Sequence, residues 1–135
     1  MGAEKKLLVV DDSKILREII SRIVTDLGFE AIEAEDVKSA ASVCAENALA
    51  CVFLDWDLPL LGALDFLRDV AELPEDRRPT IILCATENDV EQFRLAKAAG
   101  AAFHILKPYD KDTIVTILRE VGVLTENMDP ASAVA

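Results

Sequence analysis

Short apolar runs of four residues recur along the chain and alternate with longer amphipathic segments. The runs are LLVV at Leu7–Val10, CVFL at Cys51–Leu54, IILC at Ile81–Cys84 and FHIL at Phe103–Leu106. Because they are too short for helices and unbroken by polar residues, they predict interior strands of a parallel sheet. A fifth run, FEAIEA at Phe29–Ala34, carries Glu30 and Glu33, which suits an exposed edge strand.

A helical pattern of apolar residues follows each of these strands. The first helix has a wide predicted stripe, made of Ile15, Leu16, Ile19, Ile20, Ile23, Val24 and Leu27, with Gly28 as its C-terminal cap. The others lie at Val37–Ala48, Leu64–Ala71, Asp89–Ala99 and Ile114–Val121, and Asp36 and Asp110 are expected near the N-termini of the second and the fifth. Strict alternation predicts an α/β fold, a doubly wound five-stranded parallel sheet in the order 2-1-3-4-5 with five helices.

The length of 135 residues fits one domain, which we assign to residues 1–124. Residues 125–135 form a polar and small-residue-rich tail that we expect to be flexible. The sequence contains neither a signal-peptide pattern nor an apolar run near the roughly 20 residues of a membrane span, so we expect a cytoplasmic protein. Cys44, Cys51 and Cys84 lie in apolar segments without CxxC spacing, which predicts buried thiols rather than disulfides or zinc ligands.

The charge balance limits the kinds of partner that the chain is expected to bind. The chain carries 14 basic and 25 acidic residues, a net charge of -11. Such a balance argues against binding to nucleic-acid phosphates or to an anionic membrane surface. We therefore expect metal cations and proteins as partners. We also expect a monomeric chain.

Acidic residues follow the predicted strands where their carboxyl ends should meet. Asp11 and Asp12 follow the first strand, Asp55 ends the third and Lys107 ends the fifth. In the predicted order the first and third strands are neighbours, which brings Asp12 close to Asp55. Clustered carboxylates repel one another, so either their pKa values rise or a cation neutralises them. An all-oxygen set of this kind suits Mg²⁺. A carboxylate beside Mg²⁺ and an ammonium group can attack a phosphoryl donor.

Three motifs occur in the order VVDDS, FLDWDLP and LKP between Lys6 and about Val123. Together they resemble the receiver domains of two-component response regulators, especially the stand-alone members that act in chemotaxis. The resemblance implies that Asp55 accepts a phosphoryl group from a histidine kinase or phosphotransfer domain, assisted by Lys107. The function it implies is a single-domain response regulator.

The same resemblance implies a metal site and a peptide geometry. Asp12 and Asp55 would bind Mg²⁺ directly, Asp11 would bind it through water, and Asp57 would contribute its backbone carbonyl. The peptide bond between Lys107 and Pro108 would be cis.

The sequence departs from the family pattern at the residues that switch on activation. The family's Ser or Thr falls at Ala85, and the nearest hydroxyl is one residue later, at Thr86. Because successive strand side chains point to opposite faces, Thr86 can replace it only if the strand end shifts or bulges. His104, the only histidine, stands where the family has a switching Tyr or Phe.

The segment after Asp55 also differs from the family pattern. Leu58 replaces the usual Met and Ala63 replaces a turn Gly, so we expect a rebuilt loop in which Gly62 adopts any positive φ.

Two further features have alternative interpretations. Asp11, Asp12 and Ser13 also fit the N-terminus of the first helix, and Asp12 fits both roles. On the fourth helix, Val90, Phe93 and Lys97 share a stripe. The stripe is either a core face or, as the resemblance implies, part of a partner-binding surface that includes His104 and is read by an effector protein.

Three other functions stay open on the sequence alone. A phosphate sink that accepts and hydrolyses phosphoryl groups tolerates Ala85, and so does an interaction module that needs no phosphorylation. The stretch VFLDWDLP also matches the hhhhDxD motif of haloacid-dehalogenase-like phosphatases, in which Asp55 would be the nucleophile and Asp57 the general acid. That family places this motif on its first strand, whereas here it falls on the third.

Overall fold

The computed structural model describes residues 5–58, 62–107 and 110–124. Its strands are β1 (Lys6–Val10), β2 (Glu30–Ala34), β3 (Cys51–Asp55), β4 (Thr80–Ala85) and β5 (Phe103–Leu106). Its α-helices are α1 (Lys14–Asp26), α2 (Val37–Glu46), α3 (Gly62–Ala71), α4 (Val90–Ala98) and α5 (Lys111–Glu120), and a short 3-10 helix at Glu75–Arg77 precedes β4. The strands pair in parallel in the order 2-1-3-4-5, which confirms the predicted fold.

The sheet separates two apolar cores, because alternate side chains of each strand point to opposite faces. On one face, Val52 and Leu54 pack among residues of α2, α3 and α4. On the other, Cys51 and Phe53 pack among residues of α1 and α5. All five residues of β3 are therefore buried, whereas β2 exposes Glu30 and Glu33 as expected of an edge strand.

The ends of the helices follow from local side-chain chemistry. Asp36, Asp89 and Asp110 cap α2, α4 and α5, each accepting a hydrogen bond from a backbone N–H three residues later. The cap of α1 is Ser13, so the expectation that Asp12 serves this role is wrong. Gly28 has a positive φ of 99° just beyond α1, as its capping position requires.

Two apolar patterns were predicted too broadly. Ile15 is 72% exposed and Ile19 is 42% exposed, because α1 covers the sheet with only the part of its stripe that includes Ile20 and Val24. On α3 the buried face is formed by Ala63, Phe66, Leu67 and Val70, whereas Ala71 is exposed.

Gly62 is the first residue of α3 and has no positive φ, so the expectation of a positive φ at this glycine is wrong. A Cβ here would lie 3.0 Å from Val37 Cγ2 and 3.4 Å from Leu58 Cβ. The glycine thus permits close packing beside α2, whereas Ala63 fits within the helix and is buried.

The three cysteines are buried and free, as predicted. Burial raises the pKa of the Cys44 thiol to about 11 and that of Cys51 to about 12, so both thiols are neutral at physiological pH. Within the described ranges, no helix is long and apolar enough to span a bilayer.

Candidate functional site

Asp11 and Asp55 lie side by side at the carboxyl edge of the sheet. Val10 is paired with Leu54 in the parallel ladder, so the residues that follow them in sequence meet at the same edge. Each of the two acids is only 2% exposed, and they are the buried charged residues in the part of the chain that the structure describes. Asp12 is exposed at the rim.

Carboxylate oxygens of Asp11, Asp12 and Asp55 lie within 4.8 Å of one another. Like charges at this spacing repel one another, and a cation or a raised pKa offsets the repulsion. The donor set contains oxygen alone and leaves one side open to water through Asp12, which fits Mg²⁺ better than a metal that prefers nitrogen or sulfur. The acids predicted to bind a metal are therefore brought together by the fold.

Lys107 joins the two buried acids from the end of β5. Its Nζ lies 2.9 Å from Asp55 Oδ1 and 3.2 Å from Asp11 Oδ2. Its backbone N–H donates to the carbonyl of Ala85 at 2.7 Å, which fixes the origin of the side chain at the neighbouring strand. One ammonium group thus offsets part of the charge of two carboxylates.

The pKa values of this pair reflect burial and mutual attraction. Burial raises the pKa of Asp55, and the hydrogen bonds from Lys107 and from the Asp57 N–H only partly oppose this effect. For Lys107, burial lowers the pKa, but the hydrogen bond to Asp55 and the charges of Asp55 and Asp11 outweigh it, so its pKa is raised. Lys107 is therefore a permanent cation near neutral pH.

The two oxygens of Asp55 have different surroundings. Oδ1 accepts hydrogen bonds from Lys107 Nζ and from the backbone N–H of Asp57, each at 2.9 Å. No described residue donates a hydrogen bond to Oδ2. Among the described residues, the hydrogen-bond donors to this carboxylate therefore all hold Oδ1.

Arg17 supports the turn that carries Asp11, a role that the sequence analysis missed. Its Nη1 donates to the backbone carbonyl of Asp11 at 2.7 Å, and its Nε lies 3.3 Å from Glu33 Oε1. The side chain of Arg17 is only 12% exposed. Asp11 Oδ1 also accepts from the backbone N–H of Ser13 at 2.8 Å, so the Asp11 turn is fixed from two directions.

The structure places Ala85 and Thr86 differently. Ala85 is buried and ends β4. Thr86 is exposed, and its hydroxyl donates to Asp57 Oδ2 at 2.8 Å rather than to Asp55. The described part of β4 shows no rearrangement that brings the Thr86 hydroxyl onto Asp55. The predicted cis bond to Pro108 lies outside the described residues.

The surface formed by α4 and β5 contains an aromatic stack. The rings of Phe93 and His104 lie 4.0 Å apart at 20° between their planes. Val90 is 62% exposed and Lys97 is exposed, so only Phe93 of this stripe packs against the core. These residues border a groove of about 420 Å³. Among the described residues, the acidic cluster consists of Asp11, Asp12 and Asp55, and His104 lies on the α4–β5 surface instead.

A sequence model of the response regulator receiver domain matches residues 7–119 of this chain. The chain belongs to the receiver-domain family. The match begins within β1, includes the other four strands and ends within α5. Asp55 lies on the third strand of a receiver fold. Its position therefore differs from that of the hhhhDxD motif in haloacid-dehalogenase-like phosphatases, which lies on the first strand.

Several relatives of this receiver domain are chemotaxis proteins. The chain is 35% identical over 106 residues to chemotaxis protein CheY1 of Helicobacter pylori, and the aligned region covers 77% of this chain and 86% of that protein. It is 29% identical over 115 residues to chemotaxis protein CheY-3 of Vibrio cholerae, and this aligned region covers 84% of this chain and 88% of that protein. The structure of the chemotaxis response regulator CheY4 of Vibrio cholerae superposes with a TM-score of 0.81 and 26% identity, over 88% of this chain and 99% of that one.

Proposed function

We propose that this receiver domain is a phosphoacceptor whose acceptor residue is Asp55 and whose phosphodonor is a histidine kinase or a phosphotransfer domain. The observation that carries the proposal is the environment of the Asp55 carboxylate. Oδ1 is bound by two donors, whereas Oδ2 receives no hydrogen bond from a described residue. A carboxylate held in this way presents one fixed nucleophilic oxygen at the open edge of the sheet.

In the proposed step, Oδ2 of Asp55 forms a bond to phosphorus while the P–N bond of the donor's phosphohistidine breaks. The electron pair of the broken bond remains on the imidazole nitrogen, which takes up a proton from solvent. Lys107, already 2.9 Å from Asp55, contributes positive charge beside the oxygens of the transferred group. Later attack of water restores the carboxylate and releases inorganic phosphate.

Mg²⁺ is the cation that the site fits, and Asp11, Asp12 and Asp55 would hold it with the backbone carbonyl of Asp57. When bound, a divalent cation supplies neutralising charge to the phosphoryl group. The residues of the chain prepare the site for it. Arg17 fixes the Asp11 turn, and Lys107 offsets the repulsion between the two buried acids by bonding to both.

The output of the phosphorylated form is proposed to be a protein interaction in the cytoplasm, in a chemotaxis pathway. This assignment comes from the names of the relatives and from the exposed groove between α4 and β5. Val90, Phe93, Lys97 and His104 border this groove, which combines apolar surface with a lysine. An effector protein with a short apolar and acidic segment fits such a surface.

The proposal predicts the stoichiometry and metal dependence of labelling. Incubation with acetyl phosphate and Mg²⁺ should add one phosphoryl group to each chain in the intact mass spectrum, and a chelator should abolish the addition. Asp69→Asn, which changes an exposed acid on α3, serves as the control and should label as the unmodified chain does. Continuous release of phosphate from simple esters without a modified chain would instead favour a phosphatase.

Ala85 gives specific support to a second candidate, the phosphate sink, because the family's switch hydroxyl is absent from this buried position. Amide NMR spectra with beryllofluoride as a phosphoryl mimic separate the two. Shifts at Phe93 and His104 would indicate a site coupled to the output face. Shifts confined to residues around Asp55 would indicate a sink, and a partner that binds Asp55→Asn unchanged would indicate an interaction module that needs no phosphorylation.

A further inference from the structure

A side-chain hydrogen bond connects a residue just after β3 with the residue just after β4. Thr86 Oγ1 donates to Asp57 Oδ2 at 2.8 Å, and both residues are exposed. Because Ala85 has no hydroxyl, Thr86 carries the hydroxyl nearest to the end of β4 along the chain. The Thr86 hydroxyl is thus bonded to Asp57 rather than to Asp55.

Asp57 is held at two points with opposite consequences. Its backbone N–H donates to Asp55 Oδ1 at 2.9 Å, so its main chain belongs to the acceptor site. Its carboxylate, by contrast, is drawn towards β4 by Thr86. Among the described acids, the oxygens that converge within 4.8 Å are those of Asp11, Asp12 and Asp55, and the Asp57 carboxylate is not one of them.

The charges of the site explain why this separation matters. Three carboxylates and the Lys107 ammonium leave two net negative charges, which one divalent cation neutralises. A fourth carboxylate entering the cluster would attract the cation more strongly and would repel the negatively charged phosphodonor. A hydrogen-bond donor elsewhere would keep the Asp57 carboxylate, two residues from Asp55, outside this cluster.

We propose that Thr86 is a positioning residue whose hydroxyl holds the Asp57 carboxylate outside the cation site. The inference rests on the proposed function, since it concerns the same cation and the same acceptor. Thr86 acts through Asp57 and does not touch the reacting atoms. The proposed role of Thr86 therefore differs from that of the family's switching Ser or Thr, which is replaced by Ala85 in this chain.

The test removes the hydroxyl while retaining the shape of the side chain, in Thr86→Val. Mg²⁺ alone is titrated into the full chain, and Trp56, the only tryptophan, reports binding by its fluorescence. The freed Asp57 carboxylate should turn to the cation, so the affinity for Mg²⁺ should rise by about three- to tenfold. With acetyl phosphate, the KM for the donor should rise severalfold because of the added negative charge.

Three further variants make the result specific. Thr86→Ser keeps the hydroxyl and should restore both values. Thr113→Val removes another threonine hydroxyl that donates to an aspartate, Asp110, and should leave the Mg²⁺ affinity unchanged. Combining Thr86→Val with Asp57→Asn should give the affinity of Asp57→Asn alone, because no carboxylate remains to be released.

Tighter Mg²⁺ binding together with a higher KM for acetyl phosphate distinguishes a positioning role of Thr86 from a general loosening of the site, which would weaken the binding of both. Weaker or unchanged Mg²⁺ binding in a folded Thr86→Val chain would overturn the inference while leaving the proposed function intact. Failure of Thr86→Ser to restore the values would also overturn it. Absence of Mg²⁺ binding by the unmodified chain would overturn the metal site of the proposed function, and the inference with it.

Discussion

Lys107→Met is expected to lower the rate of phosphorylation of Asp55 by about 10²- to 10³-fold, the usual cost of removing a charged group that stabilises a transferring oxygen. It should also destabilise the chain without added metal by about 3 kcal/mol, because Asp11 and Asp55 are left buried beside each other without their shared cation. The rate is measured with acetyl phosphate and the stability by urea denaturation.

Added Mg²⁺ distinguishes an electrostatic cause from a packing defect in this variant. A cation bound by the same acids should raise the melting temperature of Lys107→Met more than that of the unmodified chain. Lys111→Met, at an exposed position on α5, should change neither rate nor stability. Equal stabilisation of both chains by Mg²⁺ would contradict the assigned role of Lys107.

Asp12→Ala is expected to weaken Mg²⁺ binding by about 10- to 100-fold, since it removes one of three converging carboxylates. Because Asp12 is exposed and Ser13 caps α1, the free energy of unfolding without metal should change little. Affinity is measured by titration of Trp56 fluorescence.

Glu35→Ala serves as the matched control for the loss of an acid, because Glu35 is exposed and lies outside the cluster. Its Mg²⁺ affinity should equal that of the unmodified chain. A similar affinity in Asp12→Ala and the unmodified chain would show that the exposed acid does not bind the cation.

The fold could be predicted from the sequence because its interior strands carry an unmistakable pattern. β3 is apolar at four of its five positions and is covered on both faces, so neither a helix nor an amphipathic strand competes with it. The position of Asp55 at the end of that strand then follows from chain order. The same reasoning placed Lys107 at the end of β5, where it meets Asp55.

The apolar stripe of α1 was harder to predict, because periodicity shows which side chains share a face but not how far the sheet covers it. Ile15 and Ile19 extend the stripe beyond the covered part and are exposed. Gly62 was misinterpreted for a related reason. Its requirement is space beside Val37, a residue distant in sequence, rather than a special backbone conformation.

Within the site, sequence reasoning located the acids but not the bonds that orient them. Asp11 and Asp12 are adjacent in sequence, yet one is buried against Lys107 and the other is at the rim. The bond from Arg17 to the Asp11 carbonyl and the bond from Thr86 to Asp57 depend on side-chain directions in turns, for which neither strand nor helix periodicity provides a rule.

The most direct measurement of the central claim is the location of the phosphoryl group. After labelling with acetyl phosphate and Mg²⁺, reduction with borohydride marks the acyl phosphate, and peptide mass spectrometry identifies the modified residue. We predict modification of Asp55 alone and none in Asp55→Asn, a variant that is expected to fold because the amide retains the shape of the carboxyl group. Modification at another residue, or an adduct that persists in Asp55→Asn, would contradict the assignment of Asp55 as the phosphoacceptor.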